Sequence, residues 1–403
     1  GLVSPLGPPI VAESLGLSVR ATPDGKAALF WGRVADEAGT SRARQLHLLD
    51  LASGKSRAVA SDLPLAPPYA LSADGRSLVA TVVVGDLFRL VSVALDGHEA
   101  HGLLTLTTRP TSLSAGADGS IYVGLSDNTL EVLRFPAAGG IPERLGSARG
   151  ALSSPATLPD GHVLLPGLVA GRRRLLLRNT QGETRPLVDT AEQTAPPVAA
   201  LAGDRAVFLA GPVGAPPSLV LASVRDGRIL KRLPGTEGAA PQDLAASVDG
   251  RTVFYPDRGD LWAVDVDGAA PPRKLFAGHG VSAFPDGTEL LVQRNGMNGV
   301  DLFRVPVNGG HELRIPLLGD LRLAPLPLSG RAVGPDGRIV VTVASRSSGR
   351  WGPAFLDPAT GAVERIPVLF EGDVQSVGWA DGENLVALGV SLRTELWRFS
   401  ELR

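Results

Sequence analysis

Val248-Asp249-Gly250-Arg251-Thr252-Val253-Phe254-Tyr255, followed by Asp260-Leu261-Trp262-Ala263-Val264-Asp265-Val266-Asp267-Gly268, is the stretch that decides the fold. Asp-Gly is a tight-turn dipeptide, because glycine accepts a positive φ and the aspartate side chain bonds the backbone just ahead of it. The apolar run 252–255 reads as one strand. The alternation over 261–266 reads as a second strand, which ends at another Asp-Gly turn.

The same phrase recurs along the chain. Its turns are Pro23-Asp24-Gly25, Ala73-Asp74-Gly75, Ala117-Asp118-Gly119, Pro159-Asp160-Gly161, Gly203-Asp204-Arg205, Val248-Asp249-Gly250, Pro285-Asp286-Gly287, Pro335-Asp336-Gly337 and Ala380-Asp381-Gly382. The nine aspartates are spaced by 50, 44, 42, 44, 45, 37, 50 and 45 residues. Each turn leads into an apolar strand, as at 77–83, 289–292 and 338–343. A second strand follows, as at 46–51, 90–95 and 302–307. A shorter, charged segment comes after that, as at 57–59, 144–145, 273–276 and 364–367, with the character of an outer edge strand. A repeated four-stranded unit of about 45 residues is a propeller blade. The expected fold class is therefore all-β: a single β-propeller of four-stranded blades. Nine blades are expected, with eight the alternative if the fifth unit, where Asp204-Arg205 replaces Asp-Gly, is degenerate.

The last unit supplies three strands (374–378, 384–390 and 395–399) and then the chain stops. Pro9-Ile10-Val11-Ala12-Glu13 belongs to no complete unit. It is expected to complete the last blade and close the ring, so that deleting residues 1–16 lowers stability markedly. Residues 1–403 then form one domain. Residues 1–16 are the closing segment, and the repeats fall near 17–62, 63–107, 108–149, 150–192, 193–237, 238–279, 280–329, 330–372 and 373–403.

Composition agrees and sets limits. The 403 residues include 49 glycines and 33 prolines, which argues against long helices. Hydrophobic residues at 44% can bury a sizeable core. Lys+Arg 39 against Asp+Glu 41 leaves a charge of -2, with no pull towards nucleic acid or an anionic membrane. There is no cysteine, which excludes disulfides, thiolate metal sites and a cysteine nucleophile. No apolar run reaches the roughly 18 residues of a membrane helix. Lysine occurs only at 26, 55, 231 and 274, an arginine bias expected of a GC-rich bacterial genome. Gly1 is not an initiator, so the chain is expected to be a processed product or to lack upstream domains.

The repeat resembles the TolB-like, PD40-type variant of the WD40-like propeller, in which a Ser-Pro-Asp-Gly turn precedes a strand reading Asp-Leu-Trp-x-Val-Asp-x-Asp-Gly-Gly. Asp260 to Gly268 and Asp301-Leu302-Phe303-Arg304-Val305-Pro306-Val307-Asn308-Gly309-Gly310 carry the resemblance, and Glu395-Leu396-Trp397-Arg398-Phe399 echoes it. It extends over essentially the whole chain. It implies the fold, not an activity. Such propellers serve as envelope scaffolds, as sensor regions of bacterial receptor-like serine/threonine kinases, and as gating propellers of prolyl-oligopeptidase-like enzymes.

Catalytic motifs are absent from the sequence. Gly280-Val281-Ser282-Ala283-Phe284 lacks the final glycine of a nucleophile elbow. Of the histidines at 47, 98, 101, 162, 279 and 311, His98-Glu99-Ala100-His101 is one residue short of a zincin pair and has no helix beneath it. Asp265-Val266-Asp267-Gly268 reads as a turn, not a calcium loop. Arg172-Arg173-Arg174, the one basic cluster, makes no coherent patch and reads as a solvated loop. Trp31, Trp262, Trp351, Trp379 and Trp397 read as packing between blades.

Function is expected in the loops between second and third strands and between blades, around the channel. These loops carry Asp36, Asp86, Asp127, Asn128, Arg172, Arg350 and Arg393, with Gln242 near a junction between blades. The residues expected to bind are Arg33, Tyr69, Asp257, Arg258, Arg294, Asn295 and Arg346. The set suits a polar peptide, a protein loop or a small anionic ligand. The expected protein is a monomeric, non-catalytic binding propeller with no cofactor and no metal. Its partner is a protein or a small polar ligand, with no nucleic acid and no membrane segment in the chain. It is expected to be the periplasmic or extracellular sensor or scaffold of a bacterial envelope signalling protein, cytoplasmic placement being the alternative. The competing reading is a lyase or hydrolase site at the channel mouth, or a peptidase's gating propeller.

Overall fold

The Asp-Gly turns form as their chemistry requires. At Asp249, the carboxylate accepts the Ser247 hydroxyl at 2.6 Å and the Arg251 N–H at 3.0 Å, while Gly250 sits at φ 66°. The same arrangement recurs at Asp24 and Asp74, with Thr22 and Ser72 as the hydroxyl donors. In the computed structural model, residues 10–11, 19–34, 45–60, 62–85, 87–96, 100–147, 155–158, 160–296 and 299–400 are described, the side chains of 10, 11, 33, 34, 127 and 128 excepted. These residues are all-β and fall into eight antiparallel sheets. Six have four strands and two have five. No helix of the described residues is long and apolar enough to cross a membrane.

The chain divides into two compact units, Gly1–Asn128 with Leu392–Arg403, and Thr129–Ser391. The second is the more informative. Its first five sheets each use four successive strands. One example is Gln193–Leu201, Arg205–Gly211, Ser218–Ser223 and Arg228–Arg232. The inner strands are buried on both faces because a sheet lies on each side. Ala206, Phe208 and Ala210 pack against Leu175 and Leu187 of the preceding sheet. Val207 and Leu209, pointing the other way, pack against Val253 and Val264 of the next. The fourth strands, such as Arg228–Arg232 and Val363–Arg365, are polar and largely open, as expected of outer edges.

The sixth sheet closes the ring. It joins Asp373–Trp379 and the first half of the long strand Asn384–Phe399 to the second half of the long strand Ile121–Pro136 and to Glu143–Ser147. The Ala137 N–H donates to the Glu383 carbonyl at 2.8 Å. One face of this sheet packs Leu133, Phe135, Val377 and Leu385 against Val340 and Phe355. The other packs Val132, Val386 and Leu388 against Val163 and Leu165 of the first sheet. Every sheet of the unit thus has an apolar neighbour on both faces, and the cycle is complete after six.

The first unit, taken by itself, holds a sheet of Val19–Ala21, Ala27–Val34, Gln45–Asp50 and Ser56–Ala58, and a second of Leu65–Leu71, Ser77–Val84, Leu87–Ala94 and Ala100–Leu106. A third contains Pro110–Ala115 and the remaining halves of the two long strands, where Ser126 and Thr394 share a hydroxyl hydrogen bond at 3.2 Å. All nine turns are present, six in the second unit and three in the first.

Two expectations are corrected. The N-terminal strand does not complete the last sheet: Ile10 pairs with Val34 and Val11 with Arg33, while the outer places of that sheet are held by residues 129–147. The loops expected at Asp127-Asn128 and at Arg393 are not loops. Both fall inside 16-residue strands. Between Leu125 and Leu130, and between Val390 and Leu396, there is no glycine of the kind the true hairpins use, such as Gly85 at φ 60°, Gly171 at φ 74° and Gly259 at φ 86°.

Candidate functional site

The residues singled out from sequence do not converge. Tyr69 is buried at 4% exposure in the core with Leu29 and Leu78, its hydroxyl 3.5 Å from the Leu29 carbonyl. It is part of the packed core. Arg33 lies on the strand Ala27–Val34, where only its backbone is described. Asp257 and Arg258 form a hairpin turn: the carboxylate accepts the Ala240 N–H at 3.2 Å, and Arg258 is exposed at φ 52°. Arg294 makes a bidentate pair with Glu312, both bonds 2.7 Å, and stacks over Phe303, which occupies its fork. Asn295 accepts from Gln293 at 2.9 Å.

Arg346 sits 3.5 Å from Asp320 beside a groove of about 660 Å³ that also holds Arg314, Arg322 and Trp351. There, Arg314 is paired with Asp301 and Arg322 is stacked on Trp351. Arg393 is paired with Glu395 and Arg350 donates to the Phe370 carbonyl, while Gln242 is exposed. Arg172 to Arg174 open the strand Arg172–Arg178, not a loop. Asp36, Asp86 and His98 lie outside the described residues, as do Ala12 and Glu13. Ser282 is fully buried and donates to the Gly330 carbonyl at 3.0 Å, which makes it a packing serine. The Asp265 carboxylate accepts the N–H groups of Asp267 and Gly268, the turn expected there. Four tryptophans are buried or half-buried, whereas Trp397 is 49% exposed.

What the second unit does bring together lies at the centre of its ring. A cavity of about 510 Å³ is lined by strands, turns or connecting loops of all six sheets, among them by Ala156, Ala202, Ser247, Ala283, Arg331, Trp379 and Asp381. Two ionisable groups define it, and sequence reading found neither.

Asp243, at 3% exposure, lies in the wall. Its Oδ1 accepts the Leu244 N–H at 2.9 Å and the Gly330 N–H at 3.1 Å, while Oδ2 has no partner among the described residues. Burial pushes its pKa well above the ordinary aspartate value, and the N–H groups of Leu244, Gly330 and Val281 only partly oppose that. The close approach depends on Gly330, where a Cβ would lie 1.9 Å from the Leu244 carbonyl oxygen.

Arg331 follows on the same loop. Its Nη1 donates to the Thr157 carbonyl at 3.2 Å and hydroxyl at 3.0 Å, and the Thr157 hydroxyl donates to the Ala380 carbonyl at 2.9 Å. The residue is exposed where it lines the cavity. Crowding by protein lowers its pKa and the Asp381 carboxylate opposes this, leaving a guanidinium protonated at any physiological pH. Asp381 is itself well supplied, with N–H bonds from Glu383 at 2.8 Å and Asn384 at 2.7 Å. Trp379, at 2% exposure, stacks on Phe355 at 5.6 Å, and its Nε1 has no partner among the described residues.

Asp243 gives a stability prediction with a definite sign. Between the ordinary aspartate pKa and its raised folded value, the folded state keeps a proton that the unfolded chain has lost, so stability falls as pH rises through that window. Asp243→Asn retains the accepting oxygen and removes the titration. Melting curves from pH 4 to 9 should show the wild type losing stability relative to the variant as pH rises. Parallel curves would show that Asp243 is ionised at no extra cost.

No family model matches the sequence, and no curated protein matches it. Among solved structures, the chain is similar to an Agrobacterium tumefaciens protein provisionally described as TolB. The identity is 16% over 66% of this chain and 99% of that one, with a TM-score of 0.47. TolB from Acinetobacter baumannii is 12% identical over 94% of this chain and 81% of its own, with a TM-score of 0.40. The β-propeller domain of the trilobed protease from Pyrococcus furiosus is 10% identical over 87% and 94%, with a TM-score of 0.32.

Proposed function

We propose that this chain is a non-catalytic, ligand-binding β-propeller whose site is the central cavity of the six-sheet unit. One observation carries the reading: an exposed guanidinium and a buried, incompletely partnered carboxyl share a cavity of about 510 Å³ at the centre of the six-sheet ring. That volume falls within the range of small-molecule sites, which combine apolar walls with a few placed polar groups. The non-catalytic part is supported by how the groups are used. Asp243 is engaged by backbone N–H donors and Arg331 is tied to Thr157, so neither is set up as half of an acid–base pair. By its resemblance to TolB-like repeats, the propeller acts as a monomeric sensor or scaffold of a bacterial envelope signalling protein, in the periplasm or outside the cell, with a small polar ligand or a protein as partner.

A thermal-shift panel of small polar metabolites tests the placement, run on wild type and on Ala202→Phe. Ala202 is exposed in the cavity lining, so the phenyl ring occupies the cavity without entering the core. Compounds that raise the wild-type melting temperature should fail to raise that of the variant. Equal shifts in both proteins would move the site elsewhere.

A further inference from the structure

The chemistry of the cavity narrows the ligand, given the reading that the cavity is the binding site. Arg331 is pinned through Nη1 alone. Its Nε and Nη2 have no protein partner among the described residues, and together they form one planar edge of the guanidinium fork. Two parallel N–H donors on such an edge match the two oxygens of a carboxylate. Asp381, close enough to bear on Arg331 electrostatically, offsets its charge in part and disfavours a dianion. Asp243, bonded to the Gly330 N–H one residue before Arg331, is uncharged when it holds its proton, and so does not repel an anion. Much of the remaining lining is apolar, including Leu201, Val248, Val333 and Pro335.

We infer that the cavity binds a small monocarboxylic acid, its carboxylate on the free Nε–Nη2 edge of Arg331 and its apolar body against Val248, Val333 and Pro335. Arg331 is the residue that selects acid over neutral analogue. Thr157 is the positioning residue, because it holds the other edge of the fork.

Phenylacetate and phenylacetamide form a probe pair of the same shape that differs in charge. Isothermal titration of the full chain should give phenylacetate an affinity at least about tenfold above phenylacetamide, the discrimination a charge-assisted bidentate contact provides. Arg331→Gln should erase that ratio. Arg331→Lys, which keeps the charge and loses the fork, should restore only part of it. Should Arg331→Gln fail to fold, the wild-type acid-to-amide ratio alone decides. Equal affinities would overturn the carboxylate assignment while leaving the cavity as the site. Phenylacetate binding that persists in Ala202→Phe would overturn both.

Discussion

Truncating the chain after Gly372 is expected to abolish the cooperative melting of the six-sheet unit. The truncation removes Asp373–Trp379 and Asn384–Phe399, two of the four strands that close the ring. It takes away Val374, Val377, Trp379, Leu385 and Ala387, and it uncovers Leu133, Phe135, Val340 and Phe355, all at most 7% exposed in the closed ring. Each such side chain is worth about 1.5–3 kcal/mol of burial, and a whole domain is stable by only about 5–15 kcal/mol. Circular dichroism against temperature should show a broad, non-cooperative change. Leu133→Ala, a milder lesion of the same interface, should cost about 2–5 kcal/mol. Deleting residues 1–16 should leave the ring's transition in place, because among the described residues Ile10 and Val11 pair with Ala27–Val34 of the other unit. A truncation after Gly372 that melts like the parent would show that the ring does not need its sixth sheet.

Gly330→Ala is expected to be the most damaging single substitution in the cavity wall. The added methyl would stand 1.9 Å from the Leu244 carbonyl oxygen and 2.8 Å from its carbon, both backbone atoms that cannot rotate away. Relief requires moving the loop that carries Gly330 and Arg331, and with it the Gly330 N–H bond to Asp243 and the Ser282 bond to the Gly330 carbonyl. A loss of about 3 kcal/mol or more follows, at the upper end of overpacking costs because backbone must give. Gly349→Ala has open space around it and serves as the control, expected to change stability by less than about 0.5 kcal/mol. Urea denaturation of the two variants beside wild type measures both. Equal midpoints would mean that the wall at Gly330 is soft.

The repeating fold was legible because its signal is local. Ser247, Asp249 and Gly250 make a turn from bonds spanning two to five residues, and the same short pattern recurs down the chain. Ring closure was not legible in the same way. Residues 121–136 and 384–399 each read as two strands with a polar loop between, since Asp127-Asn128 and Arg393 look like turn residues. The lack of glycine between Leu125 and Leu130, and between Val390 and Leu396, was the available sign that the chain does not turn there. The candidate site was hidden for a different reason. Asp243 is one acidic residue among many in sequence, and its significance comes from Gly330, 87 residues away. The arginines that looked exposed and free, Arg294 above all, turned out to be held by partners 17 and 18 residues away.

Because the chain contains no native cysteine, the closure can be read chemically. Ala137 and Glu383 lie just beyond the ends of the two joined strands, after Pro136 and before Asn384, where the Ala137 N–H donates to the Glu383 carbonyl at 2.8 Å. Opposed residues of an antiparallel pair lie about 5.5 Å apart at Cα, within reach of a disulfide. The double variant Ala137→Cys, Glu383→Cys should therefore oxidise to a single intramolecular cross-link, seen as a reductant-sensitive mobility shift on a denaturing gel with the folded spectrum unchanged. A folded double variant that keeps both thiols free would contradict a ring closed by residues 129–147 against residues 373–391.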